Sequence, residues 1–293
     1  MEKMEIYFLK FLKKIGLLKG LNFSIKKKLN GKTILIPFIN GIGLTNQLLK
    51  SEWLDSLIEV FVKGENKTFI DVGVNVGQTL IRLKTACPEV NYIGFEPNST
   101  CTAYTQKLVK QNNFSNCIIQ NTALSTKVEN LVLEKTSVAD SRASVISALR
   151  PDYFKDKEHV IALDYDSFYQ NEHIGFVKID VEGGEYEVIQ GMEKAIEKYQ
   201  PLITCEVLDS LNSEVMQFTQ NRATLVCELL TSLNYGIIQL QTSDNKLISI
   251  KKIDKIIIKQ WTTESYNFND YIFYPLNKES NVIESLRVSI TKN

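Results

Sequence analysis

The stretch that most constrains the fold of this chain is TFIDVGVNVGQTL, residues 68–80. A mostly apolar strand, TFIDV, leads through a turn containing Gly73 and Gly77 into a segment with helical character. Glycine allows backbone conformations that side chains forbid, and it lets a ligand approach the main chain. In open α/β sheets such a turn lies at the carboxyl end of a strand, where ligands bind. The stretch therefore predicts both an α/β sheet and the place of its binding site.

The rest of the chain continues this alternation of strand and helix. The segments NYIGFE, CIIQ, GFVKIDV and LITCEV have the composition of buried strands, and helical stretches separate them. NLVLEK and HVIAL are strand-like, and YGIIQLQ and DYIFYP are predicted as the last strands. Apolar strands joined by helices predict a mostly parallel sheet covered on both faces. We expect a basic, amphipathic N-terminal extension with a strand and a helix in residues 1–64, and one catalytic-type domain in residues 65–293.

Composition limits the partners and the compartment. The formal net charge is zero, so no global field favours binding to nucleic acid, and we expect none. The five cysteines form no CxxC pair and are odd in number, which predicts free, mostly buried thiols in a reducing compartment, the cytoplasm. Two histidines are too few for a His-rich metal site, and we expect no metal.

Positive charge is concentrated at the N-terminus, where residues 1–32 contain nine lysines and two glutamates. Within IYFLKFLKKIGLLKGL, lysines interrupt the apolar residues as in a basic amphipathic helix. The segment has no signal-peptide cleavage site and is too short and too charged to span a bilayer. Two interpretations stay open: the apolar face docks on the protein itself, or residues 1–28 make peripheral contact with the inner face of a membrane.

The polar residues of the glycine turn indicate which ligand it holds. Asp71, Gly73, Asn75 and Gly77 form the pattern D-x-G-x-N-x-G. A dinucleotide fingerprint would need glycine at positions 75 and 78, and a phosphate-binding loop would need a lysine that this turn does not contain. A carboxylate at the end of the strand repels phosphate and attracts a cation or a hydroxyl donor. The pattern therefore favours a positive or neutral ligand.

A second acid follows the next strand along the chain. Glu96 lies nineteen residues after Gly77, in FEPN. A carboxylate at this position can accept hydrogen bonds from both vicinal hydroxyls of a ribose. Two acids that flank a glycine turn describe a site for a ribose-bearing cation such as S-adenosylmethionine. The alternative is that each acid is solvated or caps the helix that follows it.

Four blocks, FIDVGVNVGQT, YIGFEPN, NTAL and VKIDVEGGEYEVIQGM, resemble those of the FkbM-type S-adenosylmethionine-dependent methyltransferases, over about residues 66–210. The resemblance implies the class I methyltransferase fold, a Rossmann-like, mostly parallel sheet of seven strands whose last strand, here YIFYP, is antiparallel. It also implies S-adenosyl-L-methionine as the cofactor. The residues expected to bind that cofactor are Asp71, Gly73, Asn75, Gly77, Gln78, Thr79, Glu96, Pro97, Asn98, Asn121, Thr122, Ala123 and Asp180.

The segment KIDVEGGE supplies the candidate catalytic residues, Asp180 and Glu182. A hydroxyl that attacks a methyl group needs a base to remove its proton. Alternation along an extended chain puts both carboxylates on one side, where each raises the pKa of the other. The alternative is that they stabilise the N-terminus of the helix that begins near Glu185. Glu206 and His159 are weaker candidates, and the spacing of Asp180, Glu182 and Glu206 does not demand a magnesium ion.

We therefore expect an S-adenosylmethionine-dependent O-methyltransferase that modifies a hydroxyl of a sugar, a glycan or a related intermediate. The oxygen acceptor follows from the family and from the acids in the site motifs, and the sugar follows from the glycan pathways in which many family members act. An NAD-dependent sugar oxidoreductase is disfavoured by the missing third glycine of the dinucleotide fingerprint. A non-catalytic scaffold that kept the fold is the other alternative.

Overall fold

The structure is a computed structural model that describes residues 11, 18, 20–50, 52–140, 142–146, 148, 153–170 and 172–291. The strands of these residues are β1 (Asn22–Leu29), β2 (Lys32–Ile39), β3 (Thr68–Val72), β4 (Tyr92–Phe95), β5 (Cys117–Gln120), β6 (Ala123–Leu124), β7 (Glu129–Lys135), β8 (Asp156–Leu163), β9 (Ile174–Ile179), β10 (Leu202–Glu206), β11 (Tyr235–Ser243), β12 (Lys246–Ile253) and β13 (Asp270–Pro275). The α-helices are α1 (Leu44–Leu48), α2 (Trp53–Phe61), α3 (Gln78–Ala86), α4 (Ser99–Asn112), α5 (Tyr165–Phe168), α6 (Glu185–Gly191), α7 (Glu193–Tyr199), α8 (Met216–Ser232) and α9 (Glu279–Thr291).

The main sheet has the strand order β12-β11-β13-β10-β9-β3-β4-β5. The strands from β10 to β5 are parallel to their neighbours, and β13 is antiparallel between β10 and β11. The fold class expected from the resemblance is therefore confirmed, including the antiparallel strand formed by DYIFYP. The sheet brings the carboxyl ends of β3, β4, β9 and β10 to one edge, where the expected ligand site lies.

The sheet has eight strands instead of the expected seven, because β12 pairs antiparallel with β11 at its edge. The two strands are joined by Asp244 and Asn245, which both have positive φ angles, 49° and 65°. Two such residues form the type I′ turn that suits the twist of a hairpin. Of β12, only Leu247 is fully buried, and its lysines suit an exposed edge, so the strand lacks the apolar signal of the others.

Both faces of the sheet are covered by helices, as predicted for buried parallel strands. All five residues of β3 are buried, and their side chains alternate between two cores. Phe69 packs in the core formed with α2, α3, α4 and α9. Ile70 and Val72 pack in the core formed with α5, α6, α7 and α8. Because both cores hold β3 in place, the position of the glycine turn after it is fixed by packing on two sides.

The N-terminal part that the structure describes packs on the sheet domain. β1 and β2 form an antiparallel hairpin, in which β1 includes residues 22–28 of the segment considered for membrane contact. The side chain of Asn112 on α4 accepts from the Leu35 N–H (2.7 Å) and donates to the Leu35 carbonyl (2.8 Å). Ile34, Ile36 and Phe38 of β2 pack in the same core as Phe69 of β3. Most of the predicted amphipathic helix lies outside the described residues, and the division at residues 64 and 65 stays a prediction.

A smaller sheet has the order β6-β8-β7 and contains the strand-like segments predicted in residues 127–163. All five cysteines are free thiols, and four of them are buried, as predicted. Within the described ranges, no helix combines the length and apolar character that crossing a bilayer would require.

Candidate active site

A cavity of about 500 Å³ lies at the carboxyl ends of β3, β4, β9 and β10, beside the smaller sheet. The sequence-predicted residues that line it are Gly73, Asn75, Gln78, Thr79, Glu96, Pro97, Ala123, Asp180 and Glu182. The predicted residues that do not form its wall are Asp71, Gly77, Asn98, Asn121 and Thr122. The structure therefore brings most of the predicted residues to one cavity and places the rest behind or beside it.

The glycine turn is tightly packed against the end of β9. Gly73 has a φ angle of +88°, and a Cβ at this residue would lie 1.8 Å from the Asp180 carbonyl oxygen. Only glycine tolerates that approach, which holds the ends of β3 and β9 together. Asn75 also adopts a left-handed conformation, with φ 49°. The turn thereby presents the backbone of residues 73–75 to the cavity at the start of α3.

Glu96 is the best-supported ligand group on the wall of the cavity. Its two carboxylate oxygens accept hydrogen bonds from the backbone N–H groups of Asn75 (2.7 Å) and Asn98 (2.8 Å). Burial raises the pKa of Glu96 to about 7, although these two hydrogen bonds act to lower it. Each oxygen can accept one further hydrogen bond, so the carboxylate is oriented to receive two hydroxyl donors.

Asp71 lies beneath the cavity and is fully buried. Its Oδ2 accepts a hydrogen bond from the Tyr92 hydroxyl (2.6 Å), and its Oδ1 lies 3.7 Å from Lys178 Nζ without a hydrogen-bond partner. Burial raises the pKa of Asp71 to about 6, although the Lys178 ammonium acts to lower it. The position of Asp71 suits a role in fixing Lys178 and the end of the sheet.

The other predicted residues outside the wall support the loops that form it. Asn98 caps α4 by accepting from the N–H groups of Thr100 and Cys101. The side chain of Asn121 donates to the carbonyls of Glu96 (3.1 Å) and Pro97 (2.9 Å). The Thr122 hydroxyl donates to the Ile161 carbonyl (2.7 Å) and joins this loop to β8. Gly77 is the N-cap of α3, and a Cβ there would lie 3.1 Å from the side chains of Thr105 and Leu108.

Asp180 belongs to a group of charged residues at the far side of the cavity. Its Oδ2 accepts from Lys178 Nζ (3.0 Å), and its side chain is 38% exposed. Burial acts to raise the pKa of Asp180, but the Lys178 ammonium and a hydrogen bond from Glu206 outweigh it and lower the pKa. Burial and the Asp180 charge raise the pKa of Glu206 well above its usual value. The pKa of Asp180 is therefore lowered, whereas the crowding of Asp180 and Glu182 predicted that it would be raised, and Asp180 gives up its proton more readily than Glu206.

Three residues of this group were missed in the sequence: Glu52, Lys178 and Asp270 line the cavity. Asp270 lies opposite Glu206 in the register of β10 and β13, and burial raises its pKa to about 7. Lys178 lies in the KIDVEGGE segment, where alternation puts it on the same side as Asp180. Glu52 and Asp270 carry no local signal, because long-range packing brings them to the site.

Glu182 lies between α6 and the loop that follows β7. It has a left-handed φ of 56°, and its carbonyl accepts from the Ser144 hydroxyl (2.8 Å). Neither Asp180 nor Glu182 is the N-cap residue of α6, which has Gly184 there and no side-chain capping bond. Glu185, in the first turn of α6, accepts from the Gly183 N–H (2.7 Å).

The cavity wall, as far as the described residues form it, has one basic residue, Lys178. Its acidic residues are Glu52, Glu96, Glu129, Asp140, Asp180, Glu182, Glu187, Glu206 and Asp270. Such a wall repels a pyrophosphate and attracts a cation. Across the described ranges, no three His, Cys, Asp or Glu side chains are arranged to hold a metal ion. His159 is exposed on β8 beside Asn130, away from the cavity wall.

The strand order, the glycine turn after β3 and the acid after β4 together define a protein of the class I methyltransferase fold. Residues 71–235 match the methyltransferase FkbM domain. Because that match covers more than half of the chain, the protein belongs to the FkbM methyltransferase family, as the resemblance predicted. Family membership and the acidic cavity both argue against the oxidoreductase alternative.

Solved structures with similar folds have low sequence identity to this chain. One is the methyltransferase FkbM from Methylobacillus flagellatus KT, with 12% identity and a TM-score of 0.46 over 80% of this chain and 52% of that chain. Another is the O-methyltransferase from Bacillus cereus in complex with SAH, with 11% identity and a TM-score of 0.41 over 77% and 81%. The chain spans about half the length of the first of these. No functionally curated protein sequence matches it.

Proposed function

We propose that the protein transfers a methyl group from S-adenosylmethionine to a hydroxyl oxygen on a sugar, a glycan or a related intermediate. The observation that carries this proposal is the oriented Glu96 carboxylate in a cavity whose charged wall residues, within the described part of the chain, are nine acids and one lysine. A ribose diol needs two acceptors, and a sulfonium cation is favoured by surrounding carboxylates. Membership of the FkbM methyltransferase family supports the same reaction class.

The residues of the cavity fit this cofactor. Glu96 would accept from the ribose hydroxyls, while the apolar side chains of Phe95, Ala123 and Leu124 offer a surface for the adenine ring. The backbone of the glycine turn and the carboxylates near Lys178 would hold the methionine part, whose ammonium and sulfonium groups are cationic. When bound, the cofactor supplies an electrophilic methyl group on a positively charged sulfur. A phosphate-bearing dinucleotide would meet nine acidic residues and one lysine on the described part of the same wall.

Asp180 is our candidate for the base. Its pKa is lowered, it lines the cavity and it keeps part of its side chain exposed, so it can accept the hydroxyl proton as the oxygen bonds to the methyl carbon and the bond from that carbon to sulfur breaks. Lys178 holds the carboxylate by the 3.0 Å hydrogen bond and balances its charge before the reaction. Glu182, on the same wall, is the second candidate and would orient the acceptor hydroxyl.

Calorimetric titration with S-adenosylmethionine, S-adenosylhomocysteine and NAD tests the cofactor. The unmodified protein should bind the first two and ignore the third. Loss of hydrogen bonds to a charged group costs about 1.5–3 kcal/mol, so Glu96→Gln should bind S-adenosylhomocysteine roughly 10- to 150-fold more weakly. Glu89→Gln is the matched control, because Glu89 is exposed and lies outside the cavity. Unchanged affinity in Glu96→Gln would exclude the assignment.

We also propose that the protein works in the cytoplasm, with its basic N-terminus at the inner face of the membrane. The five lysines of residues 1–20 support this, since each basic residue near an anionic surface contributes about 1 kcal/mol. Lys27, by contrast, is buried, and its Nζ donates to the Gln47 carbonyl (2.8 Å). Deletion of residues 1–20 should reduce co-sedimentation with phosphatidylglycerol vesicles and leave S-adenosylhomocysteine affinity intact. If the deletion lowers the melting temperature and the full chain does not bind these vesicles, the segment docks on the protein instead.

The methyl acceptor is tested by mass spectrometry of cellular glycans with and without the protein. An unchanged set of methylated glycans would contradict the proposal of a sugar acceptor.

A further inference from the structure

A second cavity of about 250 Å³ adjoins the first one beyond the carboxyl end of β10. Glu182 and Glu206 line both cavities, so these two carboxylates stand where the cavities meet. Most of the second wall comes from the segment after β10, from α8 and from the loop between β12 and β13, and the remainder is formed by Arg142, Tyr153, Gly183 and Glu185. A group bound here would reach the first cavity beside Glu206.

The aromatic part of this second cavity is formed by Trp261 and Tyr266. Their ring centroids lie 5.5 Å apart with an interplanar angle of 87°, so the edge of one ring faces the plane of the other. Trp261 is half-buried, whereas Tyr266 is exposed. A large indole at the wall of a small cavity offers a flat apolar surface to a ring-shaped ligand.

Hydrogen bonds fix the loop that carries Trp261. The Trp261 N–H donates to the Ser210 carbonyl (2.7 Å), and the Ser210 N–H donates to the Lys259 carbonyl (2.9 Å). The Asp209 carboxylate accepts from the Lys259 N–H (2.9 Å) and from the Ser265 hydroxyl (2.7 Å). The loop and the segment after β10 are thus one hydrogen-bonded unit, which fixes the backbone at Trp261 relative to β10.

The charges of the second cavity select the ligand. Its described wall contains four acids and two arginines. Arg222 donates to the Gly183 carbonyl (2.9 Å) and pairs with Glu187, while Arg142 lies 3.9 Å from Asp140. Because the acids of this wall outnumber the arginines and Arg222 is paired with a carboxylate, the cavity disfavours a phosphate or another anion. It suits a neutral ligand rich in hydrogen-bond donors.

We propose that the second cavity binds one neutral sugar ring of the acceptor, with Trp261 packed against a face of the ring and its hydroxyls directed to Glu182 and Glu206. This inference rests on the proposed function and adds the acceptor subsite to it. A pyranose has apolar C–H faces for the indole and several hydroxyl donors for the carboxylates. The volume is below the roughly 300–1,000 Å³ of cavities that enclose drug-sized ligands, which fits a single ring.

The chain has two tryptophans, and each lines one cavity: Trp53 the first and Trp261 the second. In Trp53→Phe, fluorescence therefore reports on the proposed sugar subsite alone. We would titrate this variant, saturated with S-adenosylhomocysteine, with the methyl glycosides of glucose, mannose, galactose and N-acetylglucosamine. Glucose 6-phosphate and catechol are the anionic and the flat aromatic comparators. At least one neutral glycoside should change the Trp261 emission with saturation, and both comparators should leave it unchanged.

Saturation-transfer NMR on the otherwise unmodified chain gives the second measurement. Trp261→Ala should lower the affinity for the glycoside at least tenfold, and Trp261→Phe should keep part of the affinity that Trp261→Ala loses. Phe168 is an exposed aromatic residue outside both cavities, so Phe168→Ala should bind the glycoside as the unmodified chain does. Binding that survives Trp261→Ala, binding of a comparator in place of every neutral glycoside, or no glycoside binding at all overturns the subsite. Trp261→Phe leaves Trp53 as the reporter of S-adenosylhomocysteine. Failure of that titration with glycoside binding intact overturns the cofactor assignment and leaves the subsite standing.

Discussion

The raised pKa of Glu96 predicts that cofactor affinity rises with pH. Only the ionised carboxylate can accept from both ribose hydroxyls, because the protonated form must spend one oxygen as a donor. With a pKa of about 7, roughly a tenth of Glu96 is ionised at pH 6 and nine-tenths at pH 8. The dissociation constant of S-adenosylhomocysteine should therefore fall about tenfold between these pH values, which corresponds to about 1.4 kcal/mol.

Calorimetry in buffers of different ionisation enthalpy measures this directly. Binding near pH 7 should release a fraction of a proton from Glu96, and that release should disappear in Glu96→Gln. The Glu89→Gln control should keep both the proton release and the pH dependence, since its side chain is exposed and outside the cavity. A pH dependence that is the same in Glu96→Gln as in the unmodified protein would refute the role of Glu96. Asp270, with a pKa of about 7, would then be the group to test.

Three further predictions concern the same edge of the sheet. Gly73→Ala should lower the free energy of unfolding by more than about 2 kcal/mol in chemical denaturation, because its Cβ would lie 1.8 Å from the Asp180 carbonyl oxygen. Gly64 has a φ of +85° and no atom within 4 Å of an added Cβ, so Gly64→Ala should lower it by only about 1 kcal/mol. Equal decreases in the two variants would contradict the packing argument. Asp180→Asn should lower the methyl-transfer rate about 10²- to 10⁴-fold, and an unchanged rate would remove Asp180 as the base. The ligand-free protein should lose stability as the pH rises from about 5 to 8. Burial gives several carboxyl groups higher pKa values in the folded chain, so the folded state binds more protons than the unfolded state in this range. An increase in the free energy of unfolding over the same range would contradict the pKa shifts of Asp71, Glu96, Glu185 and Asp270.

The part of the site that the sequence predicts well is the part built by neighbouring residues. The turn after β3 needs glycine where φ is positive and where two backbones meet, and Gly73 is visible as such in the sequence. Glu96 follows directly on the apolar strand β4, and the parallel arrangement brings it to the same edge as the turn. The position of both residues follows from the local strand–turn–helix pattern, which depends on backbone sterics and on the period of apolar residues.

The sequence could not indicate that Asp71 is buried, because its environment depends on Tyr92 from the next strand and Lys178 from β9. Nor could it predict β12, since an exposed edge strand needs little apolar surface and its hairpin turn uses Asp244 and Asn245 instead of glycine. The surroundings of Asp71 are formed by residues distant in the chain. The strand β12 lacks the apolar pattern by which a buried strand is predicted.

By itself, then, the sequence determined the class of sheet, the glycine turn and the acid after β4, because apolar period and backbone sterics act within a few residues. The tertiary structure alone decided which carboxylates share the cavity. β13 inserts antiparallel beside β10 and sets Asp270 opposite Glu206, while Glu52, the N-cap residue of α2, lies on the same wall. It also decided that Trp261, 55 residues after Glu206 in the chain, lines the cavity next to it. These placements follow from strand register and helix packing, which join residues that no local pattern connects.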